Sequence, residues 1–226
     1  NYERGYEKRH FEEWSDKEAN EYENKFGKGR DGTIMIELPA MSYDDGTTVP
    51  AKAIPFGSPV TQLRGKQGRV ANIVQIICEM YWIGSHYDGA PDNSNYDRDN
   101  PLAQKAKNFD ITVMINPNAS PPAANKIDKH YELCELATRH CDVIVHTDGL
   151  GSSGSTFAQF GSRLMAQDGK IISEGVRASF SDMAYTSQTV TVNPPVDKGH
   201  APHVTIEHTF ADKHTAPVQD GPAPWE

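Results

Sequence analysis

The chain has 226 residues, of which 37% are hydrophobic and 23% charged; that is enough apolar content for a sizeable core and too much for a disordered tail. A formal net charge of −9 opposes nucleic acid as the main partner, because neutralising phosphates needs a basic face. No apolar run approaches the roughly 20 residues a membrane-spanning helix requires. Residues 1–31 are dense in Glu, Lys, Arg, Tyr and Asn, with Phe11, Trp14, Tyr22 and Phe26 as bulky anchors, which predicts helix and loop laid over a surface. Thr33 to Leu38 reads as a short strand, followed by turn signals at Asp44-Asp45-Gly46 and at Ile54-Pro55-Phe56-Gly57. The apolar run Val70 to Ile77 reads as a buried strand that gives way to a turn at Cys78. Residues 84–100 form a polar loop whose carboxylates lack the spacing of a calcium loop.

The second half alternates between elements. Leu102 to Asn108 predicts a short helix, Asp110 to Ile115 a buried strand, Asn125 to His140 a helix, and Val143 to Val145 another strand. Strand, helix, strand with short connections argues for an α/β layered core. Asp168-Gly169 between Arg163–Gln167 and Lys170–Ser173 is a strong hairpin signal. Thr186 to Val192 predicts one more strand, stopped by Asn193-Pro194-Pro195. The last 30 or so residues, rich in Pro, His, Gly and Asp, read as an extended tail that docks or stays loose.

Several motifs are weaker than their letters. Gly149-Leu150-Gly151-Ser152-Ser153-Gly154 matches a dinucleotide fingerprint, but Ser155 to Gly161 leads into a hairpin and not the helix such a site needs. Gly151 to Ser155 likewise lacks the strand-to-helix elbow of a serine hydrolase. His200, His203, His208 and His214 share no face of a regular element, so surface histidines are expected rather than a metal site. Asn118-Ala119-Ser120 is a glycosylation sequon by letters alone. Cys78, Cys134 and Cys141 form no C-x-x-C pair and cannot all be bridged within the chain; with the polar start Asn1-Tyr2-Glu3-Arg4, this gives a cytoplasmic, reducing setting as the expectation.

Cys78 is the most informative position. A strand end fixes a nucleophile's backbone while the turn exposes its sulfur, and amide N–H groups beyond the turn can face a developing oxyanion. The alternative is a small buried hydrophobe, the usual fate of a free cysteine.

Four sequence words occur in one order: Ile54-Pro55-Phe56-Gly57; Cys78-Glu79-Met80-Tyr81-Trp82; Asn116-Pro117-Asn118-Ala119-Ser120-Pro121; and Gly161 through Gly175. In this order the chain resembles the nitrilase, or carbon–nitrogen hydrolase, superfamily, and most closely the glutaminase domain of glutamine-dependent NAD synthetases. The resemblance runs with gaps from residue 1 to about 193 and includes Asn1-Tyr2 and Glu7-Lys8-Arg9-His10-Phe11. It implies a four-layer αββα sandwich whose N-terminal portion precedes Asn1. The implied organisation is a surface segment with an insertion over 1–50, a hydrolase core over 51–195 and an extended tail over 196–226. It also implies a Glu-Lys-Cys set in which a thiolate attacks an amide carbon, a glutamate carries the proton and a lysine holds the oxyanion. Cys78 takes the nucleophile's place and Glu7 that of a second glutamate beside it. Tyr2, Glu79, Trp82, Ser120 and Lys126 match positions lining the substrate pocket. The base glutamate and the catalytic lysine are expected ahead of Asn1. Met80 stands where an acidic residue is common, which leaves the substrate open between glutamine and another small amide or nitrile. A scaffold that keeps the fold without the catalytic set is the reading from a different class. No cofactor and no metal are implied. The expected partners are a small amide such as glutamine, further copies of the chain, and a synthetase domain or chain; neither nucleic acid nor membrane is expected.

Overall fold

A computed structural model describes residues 34–65, 68–89, 92–118, 126–153, 156–160, 163–175 and 186–207. The expectation for residues 1–31 lies outside these. Contacts divide the chain into two units, Asn1–Ser58 and Pro59–Glu226.

In the first unit, β1 (Ile34–Leu38) pairs antiparallel with β4 (Lys52–Phe56), and β2 (Met41–Ser42) with β3 (Thr48–Val49). The turn at Asp44-Asp45-Gly46 closes β2 onto β3, with Gly46 N donating to Tyr43 O and Asp45 accepting from Thr47 N. Ile54-Pro55-Phe56, expected as turn, is instead the end of β4. Proline is tolerated there because, among the described residues, the ribbon has two strands, so its missing N–H need not face a neighbour.

The second unit is built on a seven-stranded mixed sheet. Its strands are β5 (Val60–Arg64), β6 (Val70–Gln75), β7 (Val113–Asn118), β8 (Val143–Asp148), β11 (Arg163–Gln167), β12 (Lys170–Glu174) and β13 (Val204–Glu207). Their spatial order is β12-β11-β8-β7-β6-β5-β13. The pairs β6–β7, β7–β8 and β5–β13 are parallel, and β5–β6, β8–β11 and β11–β12 antiparallel. Helices bridge the two central parallel steps: α1 (Tyr96–Asp99) and α2 (Pro101–Asn108) lie between β6 and β7, and α3 (Lys126–Ala137) between β7 and β8. This is the α/β alternation read from the sequence. The strand expected at 110–115 begins three residues later, because Asp110 to Thr112 carry the chain from α2 into the sheet.

α2 starts where its sequence says it should. Asn100 caps it by accepting from Leu102 N, and Pro101 occupies the first turn, where a missing N–H costs nothing. The core gathers Val74, Ile76, Tyr81, Tyr96, Leu102, Met114, Leu133, Ile144 and Leu164; full burial of an aliphatic side chain is worth about 1.5–3 kcal/mol.

Past Gly149 the chain forms β9 (Leu150–Ser153) and β10 (Thr156–Phe160), an antiparallel pair. The fingerprint-like glycines therefore lie in a strand pair that the sequence did not predict, and among the described residues they open no helix. The Asp168-Gly169 hairpin is also present. Both residues have positive φ, 51° and 71°, as a two-residue primed turn requires. The strand expected at 186–192 is absent. Only Thr186, Val190 and Val192 there are even half-buried, and the Thr191 carbonyl accepts from the Gln167 side chain instead of a neighbouring strand. The segment instead runs on to β13 at the sheet's edge.

Candidate active site

The three central parallel strands end on one edge of the sheet, the side on which open α/β sheets bind their ligands. β7 ends at Asn118 and β8 at Asp148, residues paired in register. β6 ends at Gln75, and Ile76 still bonds across to β7, its N–H donating to Ile115 O at 3.0 Å. The chain then breaks into a 3-10 helix, Cys78–Trp82.

Cys78 opens that helix with φ of +50°, one of two positive-φ residues other than glycine among those described. Left-handed backbone costs an L-residue about 1–3 kcal/mol, so neighbours must hold it. Asn116, fully buried, donates from Nδ2 to Ile76 O at 2.6 Å and to Cys78 O at 3.3 Å. The Cys78 thiol is half-buried and donates to Asn118 Oδ1 at 3.1 Å. The sulfur is thus neither sunk in the core nor loose on the surface.

The other two cysteines behave as buried hydrophobes. Burial pushes the Cys134 thiol far above its usual range and that of Cys141 up to about 12, which leaves no thiolate at neutral pH. Of the three cysteines, Cys78 alone is half-buried and not buried.

Around this turn the packing is aromatic. Tyr81 is buried with its ring 5.7 Å from that of His146, and the rings of His146 and His130 meet edge to face at 4.4 Å. Trp82 is 7% exposed, and Lys129 of α3 lays its Nζ 3.1 Å from the indole centroid and 4.8 Å from that of Tyr87. Next to this, Glu132 ties α3 to the loop before α1 by accepting from Tyr87 Oη at 2.7 Å and Asn93 Nδ2 at 2.8 Å.

Of the residues singled out from sequence, Cys78 and Trp82 sit on this one turn. Glu79 lies between them in the 3-10 helix and Lys126 is the first residue of α3, but their side chains are not among those described. Tyr2, Glu7 and Ser120 lie outside the described residues. The sequon's Asn118 is 8% exposed at the end of β7, which leaves a glycan little room. Of the histidines, His203 is structural: its N–H donates to Val60 O and its Nδ1 accepts from Val60 N, both at 3.0 Å. Among the described residues no His, Cys, Asp or Glu group is arranged to hold a metal ion.

Sequence reasoning missed Asn116, Asn118, His146 and Lys129. The signal for the first two was present, because β7 alternates half-buried and buried positions, so an asparagine in that strand demands a partner.

A separate cavity of about 770 Å³ runs between the sheet and the segment 194–202. Its charges are spent within the chain: Arg64 reaches Glu207 at 3.7 Å, Lys198 donates to Ala106 O, and Asp110 accepts from Val196 N. It is the seam along which the C-terminal segment docks.

No family model matches the chain, and no curated protein matches it at the significance required. Among solved structures it is similar to one from Cytophaga hutchinsonii and one from Acinetobacter baumannii. Both are glutamine-dependent NAD+ synthetases. The first is 24% identical with a TM-score of 0.40 over 68% of this chain. The second, solved with adenosine diphosphate, is 16% identical with a TM-score of 0.41 over 75%. The matched region is 20% and 33% of those chains, so this chain spans only a minor part of their length.

Proposed function

We propose that the chain carries thiol-dependent amide hydrolysis, releasing ammonia from glutamine for use by a synthetase. The observation that carries this reading is the left-handed Cys78, which presents its thiol at the carboxyl edge of the parallel strands. In this reading the sheet is one half of an αββα sandwich. The thiolate attacks the amide carbon, the carbonyl electrons move onto oxygen, and the intermediate collapses with loss of ammonia to a thioester that water then cleaves to glutamate. A glutamate takes the thiol proton and returns it to the leaving nitrogen, and a lysine ammonium with backbone N–H groups faces the oxyanion. The resemblance assigns Glu7 the second glutamate's role and assigns Tyr2, Glu79, Trp82, Ser120 and Lys126 to the substrate pocket. The ordered words around Cys78-Glu79-Met80-Tyr81-Trp82 support these roles. Further copies of the chain and a synthetase domain or chain are the proposed partners.

The test is ammonia release from glutamine compared with simple aliphatic amides, by the full-length protein with the residues ahead of Asn1 included and by its Cys78→Ala variant. Glutamine is expected to be turned over, and the variant to lose all turnover while its melting curve stays within about 1 kcal/mol of wild type, since a thiol-to-methyl change removes little volume. Turnover of aliphatic amides in preference to glutamine would move the reading to a free-standing amidase. Turnover by Cys78→Ala above background would remove the cysteine mechanism, and none by either protein would favour a scaffold.

A further inference from the structure

The backbone strain at Cys78 has a specific restraint on the next two strands. Asn116 of β7 and His146 of β8 are directly opposed in register, and both are fully buried. His146 Nδ1 lies 2.7 Å from Asn116 Oδ1. The amide's orientation is fixed by its other end: its Nδ2 faces two carbonyls, Ile76 O and Cys78 O, and a flipped amide would set oxygen against oxygen. Oδ1 is therefore an acceptor, and the proton between the pair sits on His146 Nδ1. The imidazole is itself wedged, with the Tyr81 ring tilted at 34° and 5.7 Å away, His130 edge-on at 4.4 Å and Leu164 of β11 opposite in register.

We propose that Asn116 and His146 are positioning residues, a clamp that grips the carbonyls on either side of Ile77 and thereby holds Cys78 in its left-handed conformation with the thiol aimed at Asn118. His146 does not meet the thiol; it fixes the amide that does the gripping. The proposal rests on Cys78 being the reacting nucleophile, but its test needs no substrate, so the clamp and the glutaminase reading stand or fall on different measurements.

The experiment measures the alkylation rate of Cys78 by iodoacetamide in the full chain, resolved by peptide mass spectrometry. Labelling of fully buried Cys134 in the same samples reports loss of the fold. The wild-type Cys78 rate is expected to differ from that of the urea-unfolded chain by about tenfold or more, because a held thiol does not react as a free one does. Asn116→Ala and His146→Gln are expected to bring it to within about threefold of the unfolded value while Cys134 stays unlabelled. His146→Asn places an amide N–H where Nδ1 was and is expected to restore the wild-type rate, whereas the longer Gln side chain carries its N–H past that point. A wild-type rate in folded Asn116→Ala, or in the wild type a rate equal to that of the unfolded chain, overturns the clamp. If Asn116→Ala also exposes Cys134, the decision falls to the His146 pair. Equal Cys78 rates in His146→Asn and His146→Gln then overturn it, and restoration by Asn alone supports it.

Discussion

Gly84 shows how tightly the turn after the cysteine is drawn. Its φ is +80°, and a Cβ built on it would lie 2.7 Å from Asn95 O and 3.0 Å from Tyr96 Cα. Those atoms are backbone at the entry to α1 and have nowhere to swing. Gly84→Ala adds left-handed strain to steric overlap, and we expect it to cost about 2–4 kcal/mol. A urea melt measures this; a loss below about 1 kcal/mol would mean that the segment gives way freely. At this scale the sequence was informative where a residue's chemistry is unusual. Cys78 stood out because it ends an apolar run, and Cys134 and Cys141 did not because they fall within a helix and beside one. Asn116 and Asn118 fall within one conspicuous word of sequence, yet their work depends on carbonyls and a thiol 38 to 40 positions away, and no local pattern encodes that.

Among the elements, α3 is tied to the loop before α1 by Glu132. Burial works to raise this carboxyl, but hydrogen bonds from Tyr87 and Asn93 and the nearby charge of His86 outweigh it and hold Glu132 below its ordinary value. The same contact, with burial the larger cause, pushes the Tyr87 hydroxyl up to about 12. A carboxyl depressed on folding contributes stability that is present above its unfolded pKa of about 4.3 and is lost as pH falls through the folded value. Thermal melts between about pH 7 and pH 3 are therefore expected to fall less steeply at the acid end for Glu132→Gln than for wild type; identical slopes would show that Glu132 contributes nothing. Elements set by local chemistry were legible. Asp168-Gly169 takes the two positive φ values that a primed turn demands, and Asn100-Pro101 starts α2 where a cap followed by proline should. The segment 186–192 has the alternation of a strand but no sheet edge bonded to it, which its own sequence cannot reveal. β13 was missed although Val204 and Ile206 alternate with Thr205 and Glu207: four residues are too short a run to show a period, and its pairing with β5 makes it a strand.

For the whole molecule, the buried cluster draws all its members from residues 60–171 of the second unit. In the first unit, the described side chains of β1 and β4 are exposed or half-buried. Backbone amides are protected in proportion to the burial around them. Native-state hydrogen exchange should thus find β7 and β8 amides opening only with global unfolding, and β1–β4 amides exchanging well before them. Equal protection in both units would show that the first has a core as strong as the second. By itself the sequence determined the α/β class, the two longer helices, the Asp168-Gly169 hairpin and the one cysteine poised at a strand end, because periodicity, capping and turn residues act over a few positions. Tertiary structure decided the sheet order, the edge role of β13 and the Asn116–His146 clamp. These depend on which strands lie side by side, and a buried amide or imidazole can be satisfied only by whatever atoms the fold brings against it.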